Sequence, residues 1–125
     1  MTIQGRTVLV LEDEPIIAFA LEDMLIDHGA TPLFCGSLEA AAGTLDRTEP
    51  DLAILDVNIH GEQSYPIAQR LAERGVPFIF ATGYGDALHP PEFCGVPTIA
   101  KPYRMADVEQ AFASLSAPLT QAARG

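Results

Sequence analysis

Basic residues are scarce in this chain of 125 residues: seven Lys and Arg stand against 17 Asp and Glu, a formal net charge of −10. A protein that grips a nucleic-acid backbone needs a basic stripe to displace counterions, so the balance argues against that class. It argues equally against peripheral attachment to anionic lipid. Cysteine is scarcer still, and Cys35 and Cys94 form neither a disulfide framework nor a ligand spacing such as CxxC. They read as reduced thiols of a soluble, cytoplasmic protein. No apolar run approaches the roughly 18–20 residues that span a bilayer. Residues 1–6 lead straight into a strand pattern, with no signal-peptide hydrophobic region.

What the chain does have is an ordinary globular composition, 48% hydrophobic and 19% charged, in one domain's length. Two periodicities alternate along it. Thr7-Val8-Leu9-Val10-Leu11 is a continuous apolar run of the kind buried on both faces of a parallel sheet. Ile16, Ile17, Ala20, Leu21, Met24 and Leu25 follow at helical spacing, with Pro15 suited to a first helical position and Gly29 to the stop. The cycle repeats through a strand at 31–34 and a helix marked by Leu38, Ala41, Ala42 and Leu45. A strand at 52–55 precedes a helix marked by Ile67, Ala68, Leu71 and Ala72 and ended by Gly75. The remaining strands fall at 76–81 and 97–100, and Met105, Val108, Phe112 and Leu115 give the last helix its stripe.

Five strand–helix units in one domain imply a doubly wound α/β fold, a five-stranded parallel sheet with helices on both faces. The domain is expected over 1–116, with 117–125 a short tail that loses apolar periodicity. One unit is defective. Between the fourth and fifth strands, Gly83, Gly85 and the pair Pro90-Pro91 leave little room for a helix. The fourth helix is therefore expected to be short or disordered.

Open parallel sheets bind ligands beyond the carboxyl ends of their strands, so the residues just after each apolar run carry the information. Glu12, Asp13 and Glu14 follow the first strand, Asp56, Val57 and Asn58 the third, Thr82 the fourth, and Lys101 with Pro102 the fifth. Lys101 is the chain's single lysine. Three convergent carboxylates repel one another unless a cation intervenes. Oxygen ligands with room for water suit Mg²⁺ better than a transition metal. A carboxylate, a divalent cation, an ammonium and the Thr82 hydroxyl together stabilise a transferring phosphoryl group, and Asp56 is the natural nucleophile. Taken singly each residue has a plainer reading. Glu14 is helix N-terminal charge, Asp56 a turn residue, Thr82 an N-cap and Lys101 a solvated cation. Their joint placement at four strand ends outweighs those readings.

Val8-Leu9-Val10-Leu11-Glu12-Asp13-Glu14-Pro15, Leu55-Asp56-Val57-Asn58 with Gly61, Thr82-Gly83 and Lys101-Pro102 resemble the receiver domain of two-component response regulators. The likeness covers nearly the whole chain. It implies strand order 2-1-3-4-5 and makes Asp56 the phospho-acceptor. It also implies Mg²⁺ ligation by Asp13, Asp56, Glu12 (directly or through water) and the Asn58 carbonyl, with Thr82 and Lys101 holding phosphoryl oxygens. A cis peptide before Pro102 belongs to the same pattern. The implied partner is a sensor histidine kinase or a phosphotransfer protein. Phe80-Ala81-Thr82-Gly83-Tyr84 resembles the subgroup named for that stretch, often partnered with HWE-type kinases. Thr98 stands where ordinary receivers carry a switch aromatic. The response to phosphate is therefore expected in the loop 82–95, with Gly83 and Gly85 as hinges and Tyr84 moving at the crevice.

On this reading the chain is a single-domain regulator that signals by protein contact or serves as a phosphate sink or relay. It is not a conventional enzyme, its chemistry being self-phosphorylation and slow autodephosphorylation. Two rivals exist: a phosphorylation-independent adaptor with a receiver fold, and a Mg²⁺-dependent phosphatase with an Asp nucleophile. The intact acidic set speaks against the first. The second typically carries two aspartates two apart after the first strand, a pattern missing here. His60, four residues after Asp56, reads as a solvated loop histidine, and His28 as a helix C-terminal one.

Overall fold

The computed structural model describes residues 3–82, 90–93, 95–101 and 104–124, with side chains up to 115. Its main sheet contains β1 (Thr7–Leu11), β2 (Thr31–Cys35), β3 (Leu52–Asp56), β6 (Phe78–Thr82) and β7 (Thr98–Ala100). The order is β2-β1-β3-β6-β7, every neighbouring pair parallel. That is the expected 2-1-3-4-5 order, counted over the strands of this sheet. Two short antiparallel strands, β4 (Asn58–Ile59) and β5 (Glu62–Gln63), form a separate hairpin beyond β3.

Strand side chains alternate between two cores, as the twofold period of a strand requires. Leu9, Leu11, Ala53, Leu55, Phe78 and Phe80 face one layer, with Ala41 and Leu45 of α2 (Leu38–Arg47) and Ile67, Ala68 and Leu71 of α3 (Tyr65–Glu73). Val8, Val10, Leu52, Ile54, Ile79 and Ala81 face the other, with Leu21 and Leu25 of α1 (Pro15–Asp27) and Val108 and Phe112 of α4 (Met105–Arg124). Because both faces are covered, the central strands are buried almost throughout, which is why their sequences are unbroken apolar runs.

Local chemistry sets the helix ends. Ser37 caps α2, its Oγ accepting from the Ala40 amide at 3.1 Å. Pro15 and Pro66 occupy first-turn positions of α1 and α3, where no intrahelical N–H is needed. Gly29 and Gly75 follow α1 and α3 at φ +82° and +72°, the left-handed conformation that a helix stop favours.

Two local expectations change. The buried stripe of α1 is Ala18, Leu21 and Leu25, while Ile16 is 84% exposed and Ala20 also faces outward. Helical spacing selects among several apolar sets on this helix, and the set one step round is the one that meets the sheet. The helix α4 continues through the stretch expected as a tail, reaching Arg124. Pro118 lies inside that continuation, so helix propensity does not account for it. Between β6 and β7 the described residues hold a single 3₁₀ turn, Pro91–Phe93, in keeping with the short fourth helix expected there. The hinge glycines, Tyr84, Cys94 and Pro102 lie outside the described residues.

Candidate functional site

Each residue singled out after a strand lies at the carboxyl edge of the sheet. Glu12 and Asp13 follow β1, Asp56 ends β3, Thr82 ends β6 and Lys101 follows β7. The parallel registers bring these ends level: Leu11 pairs with Leu55, Asp56 with Ala81, and Thr82 with Ala100. Asp13, Glu14, Asp56, Asn58, Gly61, Thr82 and Lys101 line one open cleft of about 510 Å³.

Lys101 organises the floor of that cleft. Its ammonium lies 2.6 Å from Glu12 Oε1 and 2.7 Å from Asp56 Oδ2, with Glu14 Oε1 farther off at 3.9 Å. The Lys101 side chain is 7% exposed, so these are buried, charge-assisted contacts. The backbone fixes the lysine as well, its amide donating to the Thr82 carbonyl at 2.9 Å. Burial alone lowers an ammonium's pKa, but the hydrogen bonds to Asp56 and Glu12 outweigh it and hold Lys101 above its ordinary value.

Each acid has a distinct hold. Glu12 is 1% exposed, and its Oε2 accepts from the Glu14 amide at 3.0 Å. Burial pushes its carboxyl up to about 7, against the lowering pull of Lys101 and the Glu14 amide and with a further raise from Asp56. Asp56 is 6% exposed, its Oδ1 accepting from the Asn58 amide at 3.3 Å. Asp13, the more open of the three, accepts on Oδ2 from the His60 amide at 2.9 Å.

One carboxylate oxygen from each of Glu12, Asp13 and Asp56 lies within 4.8 Å of the others. Three carboxylates served by one ammonium leave net negative charge at a half-open oxygen-only site. That donor set fits a hard divalent cation such as Mg²⁺, which keeps part of its water. The carboxylates hold Lys101 between Glu12 and Asp56, and Asn58 and Thr82 line the same cleft.

The structure brings all six predicted site residues (Glu12, Asp13, Asp56, Asn58, Thr82 and Lys101) to this one place. Sequence reasoning missed the β4–β5 hairpin, which carries Asn58 and sends the His60 amide to Asp13. The signal for it was the His60-Gly61 pair, which the hairpin turn holds at φ +50° and +82°. His60 is exposed as expected, yet its ring Nε2 lies 3.1 Å from the Gly36 carbonyl, so it is tied rather than free. Glu14, read as helix charge, is also at the cleft edge.

Comparison with known proteins agrees with this fold. The structure resembles the solution structure of SdrG from Sphingomonas melonis Fr1, at a TM-score of 0.80 and 39% identity over 92% of this chain and 98% of that one. It also resembles the BeF3-activated conformation of SdrG, at a TM-score of 0.73 over 87% of this chain and 94% of that one. A curated relative, the positive alginate biosynthesis regulatory protein of Pseudomonas aeruginosa, is 29% identical over 117 residues. The match takes in 89% of this chain but 47% of that protein, so the chain spans about half the relative's length. Residues 8–113 match the family described as the response regulator receiver domain. With that match running from the first strand to the last helix, and the acid–lysine cleft at its centre, this chain belongs to the response regulator receiver family.

Proposed function

We propose that the chain accepts a phosphoryl group on Asp56 from a phosphohistidine of a sensor histidine kinase, the HWE type included, or of a phosphotransfer protein. An Asp56 carboxylate oxygen attacks phosphorus, and the P–N bond breaks. Its electron pair returns to the imidazole, which leaves neutral after taking a proton. The observation that carries this reading is the Lys101 ammonium, buried and within 2.7 Å of both Glu12 and Asp56. It is a fixed positive charge beside the proposed nucleophile, suited to charge that spreads over phosphoryl oxygens as transfer proceeds. Thr82, lining the same cleft, offers a hydroxyl to one of those oxygens.

Glu12, Asp13, Asp56 and the Asn58 carbonyl hold Mg²⁺ on this reading. When bound, the ion neutralises the acids and lets an anionic donor approach. The phosphorylated chain then acts in the cytoplasm by protein contact, or as a phosphate sink or relay, and not as a conventional enzyme. Likeness to the Phe-Ala-Thr-Gly-Tyr subgroup supports the HWE-type assignment of the kinase.

The test is intact mass after incubation with acetyl phosphate and Mg²⁺, comparing wild type with Asp56→Ala. A gain of one phosphoryl group in wild type alone is the expected result. Beryllofluoride, which gives the activated conformation of SdrG, is the matching NMR probe. No mass gain, together with no beryllofluoride or Mg²⁺ shift around Asp13 and Asp56, would leave the phosphorylation-independent adaptor as the better reading.

A further inference from the structure

Glu12 and Asp56 share Lys101, but Asp13 does not: its carboxylate is met from across the cleft, by the amide of His60 at 2.9 Å. The two residues are 47 apart in sequence, so the contact depends on how the β4–β5 hairpin is placed. That placement is conformationally demanding. At φ +50°, His60 is the one non-glycine residue in left-handed backbone among the described residues. A residue with a Cβ persists there only when its surroundings determine it.

The surroundings here are specific. The His60 ring Nε2 lies 3.1 Å from the Gly36 carbonyl, 24 residues away in the link between β2 and α2. A carbonyl only accepts, so Nε2 carries the proton and donates. That link is itself fixed to the acid pair, because the Glu12 amide donates to the Cys35 carbonyl at 3.0 Å. A closed circuit results: Glu12 backbone to Cys35, Gly36 to the His60 ring, and the His60 amide to Asp13.

We propose that His60 is a positioning residue for Asp13: its imidazole anchors the hairpin turn to Gly36 and so aims the His60 amide at the Asp13 carboxylate. This rests on the reading above, in which Asp13 faces a divalent cation. Partners that orient a metal-binding carboxylate without touching the metal commonly change affinity by about 10- to 100-fold when removed. The exposed hydrogen bond here places His60 at the low end of that range, about tenfold.

Two variants separate positioning from folding. His60→Ala removes the ring and keeps the backbone strain, whereas His60→Gly removes the ring and relieves it. The measurements are Mg²⁺ titration by NMR, the Asp13 carboxyl ¹³C signal, hydrogen exchange at amide 60, and urea stability, all on the full chain. For His60→Gly the expected result is about tenfold weaker Mg²⁺ binding, a displaced Asp13 carboxyl signal and lost protection at amide 60, with stability little changed. His60→Ala should weaken Mg²⁺ similarly and also lose stability. Mg²⁺ affinity within about twofold of wild type in both variants, or a protected amide 60 in the glycine variant, overturns the proposal. Wild type that binds no Mg²⁺ overturns the functional reading instead. The Asp13 carboxyl signal and amide 60, recorded without metal, then decide the positioning role on their own.

Discussion

Replacing Glu12 with glutamine should make the metal-free protein more stable at alkaline pH and leave it unchanged in acid. Glu12 is buried, and burial pushes its carboxyl from an ordinary 4.5 up to about 7 in the folded chain. A group whose folded pKa is raised contributes its full stability below the unfolded value and loses it as pH rises through the folded one. The loss here therefore runs from about pH 4.5 to about pH 7. A displacement of about 2.5 units at about 1.36 kcal/mol per unit gives about 3 kcal/mol. Glutamine cannot ionise and keeps an oxygen to accept from the Lys101 ammonium, so Glu12→Gln escapes most of that loss. Urea unfolding of both proteins in EDTA, from pH 4 to pH 8, reads the difference directly. The two curves should nearly coincide at pH 4 and separate by about 3 kcal/mol at pH 8, with the variant higher. Adding Mg²⁺ at pH 8 should narrow the gap, because a cation favours the ionised acid. A difference that stays constant with pH would refute the reasoning. It would mean that Lys101 keeps Glu12 ionised throughout and that the pair, not burial, sets its titration.

Lys101→Met leaves Glu12 and Asp56 buried without their cation, and should cost about 3 kcal/mol at pH 8 in urea unfolding, with much of the loss recovered at pH 5 as Glu12 takes a proton. A loss independent of pH would point to lost packing of the lysine stem. Ser64 Oγ is fully buried with no hydrogen-bond partner among the described residues, so Ser64→Ala should raise stability by about 1 kcal/mol; a fall of that size would show that an ordered water holds the hydroxyl. On α1, Phe19→Ser should change stability by less than about 0.5 kcal/mol because the ring is 66% exposed. Leu21→Ala, two residues on and fully buried, should cost about 2–5 kcal/mol, and equal effects at the two positions would refute the burial pattern of this helix.

The sheet was the most legible part of the fold because burial on both faces forces unbroken apolar runs. Val8 to Leu11 and Leu52 to Leu55 admit little else, and their alternation with helical spacing fixed the parallel class. Helix faces were less legible where apolar residues exceed the number the core can take. Along α1, Ile16, Phe19 and Ile26 are exposed while the smaller Ala18 is buried, so hydrophobicity alone could not choose the face. Helix length was illegible for the opposite reason. Beyond Leu115 the apolar stripe stops and Pro118 reads as a break, yet α4 runs on to Arg124.

The site divides along the same line, between what topology dictates and what a turn decides. A parallel sheet places the carboxyl ends of its strands along one edge, so finding Glu12, Asp56, Thr82 and Lys101 just past apolar runs was enough to predict that they meet. The same rule reaches Asp13, next to Glu12, but it does not say how the Asp13 side chain is held. Its side chain is held by a hairpin of two-residue strands whose only sequence mark is a turn pair, His60-Gly61. Nor does residue type predict that Glu12 is lifted toward neutral pH. Its carboxyl contacts the Lys101 ammonium at 2.6 Å, yet burial pushes it up to about 7. The consequence is a division of labour within the cluster. Near neutral pH the Glu12 carboxyl is partly protonated, which lowers the negative charge among three crowded acids. A divalent ion entering the cleft must displace that proton, so its affinity should rise with pH up to about 7 and level off above it. Mg²⁺ titration of wild type against Glu12→Gln from pH 6 to pH 8 checks this. The slope should be present in the first and absent in the second, and equal slopes would assign the proton to another group.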